Sequence, residues 1–263
     1  MESIRIDPGR CIGCGICASI CIRDSIEVRD GKAVYNGNSC FSCYQCYAVC
    51  PKEAISIADR PGFEGESVPQ KPMLSNDDLM RFLSERRSVR WFNSDKVSKE
   101  EFEQIFESAR YSPTSMHRQD VEFAVIDDRL DDFMQIVYES LKPIEDTLPR
   151  IHDFCRYMEG TFESSKGHPF LWEGRQIILA FSEVAVDAVI AMTRAELAAY
   201  SMGLGGFYSL FMIMAAERDP ERFSEFFSDI DPKKKLRCVF VIGNPRVKFR
   251  RTLPPRRLSV KYY

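Results

Sequence analysis

The chain has 263 residues, of which 44% are hydrophobic and 29% charged, with a formal net charge of −3 at pH 7. This composition is ordinary for a globular protein. No apolar run approaches the length of a membrane span, and the first residues lack the apolar segment of a secretory signal. We therefore expect no membrane association. Because the eight clustered cysteines need to be thiolates, we expect a location in a reducing cytoplasm.

The N-terminal part is predicted to form a small module with an internal repeat. Residues 26–28 and 33–35 flank a turn, Asp30-Gly31-Lys32, that is typical of a β-hairpin. Residues 3–6 and 54–57 alternate like short strands. So short a module has little apolar core, so bound metal is expected to supply most of its folding free energy.

Eight of the ten cysteines fall in this module, in two runs that each read C-x2-C-x2-C-x3-C. Bacterial-type ferredoxins hold 4Fe–4S clusters with this spacing, and the fourth cysteine of each run ligates the other cluster. The pattern therefore predicts a ferredoxin-like module with two 4Fe–4S clusters. One cluster is assigned to Cys11, Cys14, Cys17 and Cys50, and the other to Cys40, Cys43, Cys46 and Cys21.

Two other classes of cysteine-rich module fit this pattern less well. A disulfide scaffold needs an oxidising compartment, and the first residues show no secretory signal that would direct the chain there. A zinc ribbon uses paired C-x2-C elements with a wider gap, not triplets with a fourth cysteine three residues on. The first run ends Cys21-Ile22 without the usual proline, which concerns the local turn and not the ligation. Because such clusters are sensitive to oxygen, we expect an anaerobic source.

The sequence predicts three parts: a cluster module at residues 1–58, a linker at 59–75 that is rich in proline and glycine, and a larger domain at 76–263. The larger domain is predicted to be α+β with helices dominant. Its predicted elements are a helix after the N-cap Ser75, a helix from the capping box at Ser98 to about residue 111, a strand at 121–126, a helix at 129–141, an irregular aromatic-rich segment at 142–174, a strand at 176–181, apolar helices at 184–202 and 207–217, a short helix after Asp219 and a strand at 237–242.

The C-terminal stretch is strongly basic, since residues 232–263 contain eleven Lys and Arg and no acid. Nucleic-acid contact and simple solvation are the common explanations of such a stretch. This one combines a strand-like run with prolines rather than basic repeats. We therefore interpret it as part of an internal anion site and expect no nucleic-acid partner.

Four separated segments of the larger domain carry groups that suit a flat, phosphorylated ligand. Arg86-Arg87-Ser88-Val89-Arg90 offers guanidinium groups and a hydroxyl. Gly203-Leu204-Gly205-Gly206 allows a flat ligand to approach the backbone. Residues 113–119 form a polar turn, and Lys248-Phe249-Arg250-Arg251 adds cations. Each segment alone is a weak signal, because glycines after a helix usually cap it. Together they resemble the nitroreductase family of FMN-dependent oxidoreductases.

This resemblance covers about residues 76–263, and the cysteine module in front matches a fused type within that family. It implies an α+β sheet wrapped by helices, in an intertwined homodimer with FMN at the subunit interface. The FMN-binding residues that it implies are Arg86, Arg87, Ser88, Arg90, Ser115, His117, Gln119, Gly205, Gly206, Lys248, Arg250 and Arg251.

His117 departs from the family pattern, which usually has Asn there. It either replaces the Asn contact or, since histidine titrates near neutral pH, serves as a proton donor. We interpret His152 and His168 as ordinary loop residues. Cys238 is predicted to pack in the core, whereas Cys155 could face the pocket.

The predicted function is that of an electron-transfer enzyme. The clusters deliver single electrons, FMN stores two, and an electron-poor organic substrate such as a nitroaromatic receives them from flavin N5. A non-catalytic electron carrier and a redox sensor are the alternatives. A substrate cavity lined by residues 154–172 would favour the enzyme. No G-x-G-x-x-G follows a strand, which mildly favours an external ferredoxin or another low-potential donor. Members of the resembled family that lack this motif still use nicotinamides, so a nicotinamide donor stays an alternative.

Overall fold

The structure, a computed structural model, describes residues 3–36, 39–58, 60–69, 71–255 and 257–263. The chain divides into two compact units. The first comprises Met1–Met73 with Thr114–Arg118, and the second Leu74–Pro113 with Gln119–Tyr263. Within the ranges described, no helix is long and apolar enough to cross a membrane.

The first unit contains two small antiparallel sheets, each of two strands. The predicted hairpin is confirmed, and its turn has positive φ at Asp30 and Gly31 (49° and 72°), as two-residue hairpins require. The predicted terminal strands pair with each other. The strands are β1 (Ile4–Ile6), which pairs with β4 (Ile55–Ile57), and β2 (Ile26–Arg29), which pairs with β3 (Lys32–Tyr35).

Each cysteine run contains one short helix, and the two helices start in the same way. α1 spans Ile16–Ser19 and α2 spans Gln45–Ala48. The residues before them, Gly15 and Tyr44, both have left-handed backbone, with φ of 77° and 56°. Glycine adopts this conformation readily, whereas tyrosine rarely does. The internal repeat that the sequence predicted is therefore present in the backbone.

The first unit extends beyond residue 58, the predicted end of the module, to Met73. The hydroxyl of Tyr47 accepts a hydrogen bond from the backbone N–H of Gly65 at 2.7 Å. The Tyr47 ring lies 5.9 Å from the ring of Phe63. These contacts attach part of the predicted linker to α2.

The second unit has a four-stranded antiparallel sheet with the strand order β5-β6-β8-β7, and helices cover both of its faces. The predicted α+β class is confirmed. The elements are α3 (Asn76–Glu85), α4 (Lys99–Arg110), β5 (Glu122–Ile126), α5 (Leu130–Leu141), α6 (Pro149–Met158), β6 (Gln176–Ser182), α7 (Ala185–Ser201), β7 (Gly205–Tyr208), α8 (Phe211–Arg218), α9 (Pro220–Phe226) and β8 (Lys235–Gly243).

The core of this unit lies on both sides of the sheet, because side chains of a strand alternate between its faces. Every residue of β6 is buried. Ile177 and Leu179 pack in one cluster with residues of α5, α6 and α8, while Ile178 and Ala180 pack in another with residues of α4 and α7. A strand covered on both faces reads as a continuous apolar run, which is why the sequence predicted it.

Three predicted helix starts are confirmed by their caps. The Ser75 hydroxyl accepts from the backbone N–H of Asp78, and Asp219 accepts from that of Arg222. Ser98 and Glu101 form the complete capping box. Such caps satisfy N–H groups that have no partner within the helix, so they can be recognised in the sequence.

Several predictions for this unit are wrong. Residues 142–174 are not irregular throughout, since they contain α6, which has Pro149 in its first turn. The predicted apolar helix at 207–217 is instead the strand β7 followed by α8. β7 pairs with β8, and Gly206 lies opposite Ile242. This pairing is made across the sheet, so local sequence does not reveal it.

The interpretation of His152 and His168 as ordinary loop residues is also wrong. His152 lies in α6, and His168 makes specific contacts in its turn. The Nδ1 of His168 accepts hydrogen bonds from the backbone N–H groups of Phe170 and Leu171, both at 3.1 Å. Its ring lies against Phe154 and Tyr157. Burial lowers the pKa of His168 to about 4, so the neutral ring orders this turn.

A pH dependence of stability is expected from His168. Between pH 6.5 and about 4 the unfolded chain binds a proton at this residue that the folded chain does not. The free energy of unfolding should therefore fall by roughly 3 kcal/mol as the pH falls through this range. His168→Asn, which retains an acceptor oxygen but does not titrate, should lose this slope in urea unfolding.

His152→Asn provides the matched control, because the His152 side chain is 44% exposed. It should keep the wild-type slope. Equal slopes for wild type and His168→Asn would contradict the assignment of this pH dependence to His168.

Candidate cofactor sites

The first cysteine set surrounds one cavity of the first unit. Three of its members come from the first run and one from the second, as the sequence predicted. Cys11 and Cys17 are buried, Cys50 is half-buried and Cys14 is exposed. The cavity is lined by Cys11, Cys14, Cys17 and Cys50 together with Ile6, Ile12, Gly15, Ala33, Pro51, Lys52, Ala54 and Ile55.

The second cysteine set surrounds a separate cavity of the same unit. All four of its members are half-buried, and apolar side chains such as Ile4 and Ile26 complete the wall. The cysteines that line it are Cys21, Cys40, Cys43 and Cys46. The fold thus brings together the two sets that the spacing predicted, each with one cysteine from the other run.

Backbone N–H groups point at the sulfur atoms of four cysteines, at distances of 3.3 to 3.4 Å. The N–H of Ala33 donates to Cys11, that of Ser25 to Cys21, that of Ser42 to Cys40 and that of Ala54 to Cys50. Such bonds stabilise a thiolate and are among the interactions that tune iron–sulfur clusters. The bond from Ala33 is the main reason why the pKa of Cys11 is lowered.

The donor set fits an iron–sulfur cluster in charge as well as in spacing. Burial raises the pKa of Cys46 to about 11, so this thiol would stay protonated at neutral pH unless a metal replaced the proton. Among the described residues, no three His, Cys, Asp or Glu side chains converge to hold a single metal ion. Each cysteine set instead encloses a cavity.

A cavity of about 830 Å³ lies in the second unit and is rich in cations. Its size is within the range of small-molecule sites. Four of the predicted FMN-binding residues line it: Arg87, Lys248, Arg250 and Arg251. Its other lining residues are Phe82, Glu85, Val89, Tyr200, Ser201, Gly203, Leu204, Pro245, Arg246, Val247, Phe249 and Thr252.

This lining fits a flavin phosphate in chemical terms. Guanidinium and ammonium groups bind phosphate, and Val89, Leu204 and Tyr200 offer apolar surface for a ring system. Gly203 has a left-handed φ of 84°, and a Cβ built on it would meet no atom within 4 Å. The glycine after α7 therefore leaves open space beside the cavity.

The arginine loop runs alongside β7, and its side chains take different directions. Ser88 bridges Gly206 in parallel, and the Val89 N–H donates to the Gly206 carbonyl at 2.9 Å. Arg86 is bound to Glu196 of α7 at 2.8 Å. The Arg90 guanidinium lies over the Trp172 and Phe207 rings. Of the three arginines, Arg87 is the one that lines the cavity.

Gly205 and Gly206 are required here by packing between protein segments. A Cβ on Gly205 would lie 2.6 Å from the Val89 side chain, and one on Gly206 would lie 2.1 Å from the carbonyl oxygen of Val241. Real Cβ atoms do not approach so closely. The close backbone approach that the sequence suggested is thus made by the protein itself, and flavin contact at these glycines stays a prediction.

Ser115 and His117 lie in the segment that groups with the first unit. The His117 ring stands edge-on to the Tyr44 ring, with 6.2 Å between centroids. Gln119 is exposed, with a φ of 49°. The roles of these three residues in flavin binding or proton transfer stay predictions.

The aromatic segment before β6 packs into the core. Phe154 and Cys155 are fully buried, and the Phe154 and Phe170 rings stack at 4.1 Å. Burial also raises the pKa of Cys155 to about 11, which keeps this thiol protonated at neutral pH. Cys238 is buried, as predicted. The cavity of about 830 Å³ is lined by other residues than 154–172.

Several residues of this region were not predicted from the sequence. Phe82 and Tyr200 both line the cavity, and their rings lie 5.0 Å apart. Phe82 precedes the arginine loop on α3, and that position could have suggested it. Glu196 is an acid within an apolar helix, and this contrast was a further available signal.

Comparison with known proteins finds relatives of both the larger domain and the cysteine module. A model of the nitroreductase family matches residues 83–244, and a model of the 4Fe-4S dicluster domain matches residues 10–54. A similar curated protein is the FMN reductase (NAD(P)H) of Bacillus subtilis (strain 168), 27% identical over 130 residues. The match covers 49% of this chain and 52% of the relative. This chain therefore spans about half the length of that curated relative.

Two of the solved structures that share the fold are nitroreductases with bound FMN. One is a nitroreductase with bound FMN from Bacteroides fragilis NCTC 9343, with a TM-score of 0.55 and 18% identity; the match covers 70% of this chain and 99% of that one. The other is a nitroreductase with bound FMN from Desulfitobacterium hafniense DCB-2, with a TM-score of 0.54 and 20% identity, covering 72% and 100%. At these identities the similarity shows the fold alone.

Proposed function

This chain belongs to the nitroreductase family, and from that premise we propose that it is an FMN-dependent oxidoreductase. It would pass electrons from two 4Fe–4S clusters to FMN and on to an electron-poor organic substrate such as a nitroaromatic. The observation that carries this proposal is the combination in one chain of two enclosed cysteine sets and a cation-lined cavity in the family domain.

The eight cysteines would hold the clusters as two sets of four. The N–H groups that point at Cys11, Cys21, Cys40 and Cys50 would stabilise their negative charge. Each set combines cysteines of both runs, so each cluster would also cross-link the two halves of the module. A module with so small a core would gain much of its stability in this way.

The cavity cations would hold the phosphate of FMN. Arg87, Lys248, Arg250 and Arg251 converge there from two segments far apart in the chain, and charge-assisted bonds to phosphate are stronger than neutral ones. Bound FMN would supply the two-electron chemistry. The protein would orient it and exclude water, while His117 is proposed as the proton donor.

A homodimer is part of this proposal. Helix α7 leaves Val186 and Val189 57% and 45% exposed, and Leu79, Met80 and Leu83 of α3 are exposed as well. Apolar residues grouped on a helix face are typical of protein–protein contacts. We propose that a second copy of the chain covers these exposed apolar residues.

The electron donor is proposed to be an external ferredoxin or another low-potential protein.

The test is anaerobic turnover of the full chain. With a reduced one-electron donor and a nitroaromatic, we expect stoichiometric reduction of the nitro group with oxidation of the donor. An electron carrier or sensor would accept electrons without consuming any compound in a panel of nitroaromatics and activated alkenes. Absence of turnover, in protein that is loaded with iron and FMN and reduced by the donor, would contradict the enzyme proposal.

A further inference from the structure

Glu196 is a buried acid in the middle of α7, and both of its carboxylate oxygens are bonded. Oε1 accepts from the Arg86 guanidinium at 2.8 Å, and Oε2 accepts from the Tyr208 hydroxyl at 2.8 Å. The Glu196 side chain is 9% exposed and that of Arg86 34%. The arginine loop, α7 and β7 therefore meet at one carboxylate.

The hydroxyl of Tyr208 is a secure donor in this arrangement. Burial, followed by the charge of Glu196, raises its pKa far above the ordinary value. The Tyr208 ring also packs against Phe240 at 5.1 Å, which fixes its direction. Tyr208 thus holds one oxygen of Glu196 and turns the other towards Arg86.

The bond to Glu196 orients the Arg86 side chain and leaves other N–H donors of its guanidinium available for a ligand. A guanidinium has five N–H donors, and the structure uses one nitrogen for Glu196. The backbone of the same loop is fixed against β7 by the bond from Val89 to Gly206. Both the main chain and the side chain of Arg86 are therefore held before any ligand binds, which lowers the ordering cost of binding.

We propose that Glu196, supported by Tyr208, is a positioning residue that holds Arg86 in place for the flavin and offsets part of its charge. This inference rests on the proposed function and on the expectation, implied by the family resemblance, that Arg86 also contacts FMN. A bond made from behind a ligand-binding group to fix its orientation is a general requirement of precise sites. Glu196 itself does not touch the ligand.

The experiment is a double-mutant cycle in the full chain, with Glu196→Gln, Arg86→Ala and the double variant. Glu196→Gln should weaken FMN about tenfold and raise the FMN midpoint potential, because the charge of Arg86 is no longer offset. In the Arg86→Ala background the same change should have no further effect on FMN affinity, since Glu196 acts through Arg86. Fluorescence titration and spectroelectrochemistry measure the two quantities.

Two further variants keep the test decisive. Glu107→Gln removes a comparable Glu–Arg pair, at 2.7 Å on the exposed face of α4, and should change neither quantity. Tyr208→Phe deletes only the hydroxyl and should weaken FMN binding by a smaller factor than Glu196→Gln. This variant tests the proposal if Glu196→Gln does not fold.

The outcomes separate this inference from the proposed function. Additive losses in the cycle, or a lower melting temperature of Glu196→Gln with unchanged FMN affinity and potential, would overturn the positioning role alone. If the wild-type protein does not bind FMN at micromolar concentration, the proposed function fails and the inference fails with it.

Discussion

Anaerobically purified protein is expected to contain about eight iron atoms and about eight acid-labile sulfides per chain, because two four-thiolate sets are present. Cys43→Ala removes one thiolate from the second set. It should lower the iron content to about four per chain and abolish turnover driven by a reduced one-electron donor. Iron analysis, electron paramagnetic resonance of the reduced protein and donor-driven turnover provide the measurements.

The controls for this prediction come from the same chain. Cys155→Ala removes a buried cysteine that belongs to neither set, and it should retain about eight iron atoms. Cys43→Ala should still reduce substrate when its flavin is reduced chemically. A wild-type protein that holds only zinc, or about four iron atoms, would contradict the two-cluster assignment. Full donor-driven turnover by Cys43→Ala would show that this cluster is not an electron relay.

The combined change Lys248→Ala and Arg250→Ala is expected to weaken FMN binding by about a hundredfold or more. Each removes a cation from the cavity lining, and a hydrogen bond to a charged group contributes roughly 1.5–3 kcal/mol. A tenfold change in affinity corresponds to about 1.4 kcal/mol, so two such losses give this magnitude. Titration of flavin-free protein with FMN measures it.

Arg257→Ala with Lys261→Ala is the matched control, since both residues lie in the same basic tail but outside the cavity lining. This pair removes the same charge and should leave the FMN affinity within about twofold of wild type. If both double variants weakened FMN equally, the tail would act only through its overall charge. If neither did, FMN would bind elsewhere.

Features with a local physical cause could be predicted from the sequence. The cysteine spacing indicated which thiols share a cavity, because ligand geometry requires that separation. Ser75, Ser98 and Asp219 marked helix starts, since a cap bonds to a backbone group only two or three residues away. The apolar run of β6 indicated a strand buried on both faces.

Features that depend on partners distant in the chain were decided only by the tertiary structure. β7 is a strand because β8 lies beside it, although its sequence runs into an apolar helix. The three arginines of the loop have different surroundings. Arg86 forms an ion pair with Glu196, Arg87 lines the cavity, and Arg90 lies over aromatic rings. One loop motif does not specify these directions, because the groups that attract each side chain are brought there by α7, β7 and the C-terminal tail.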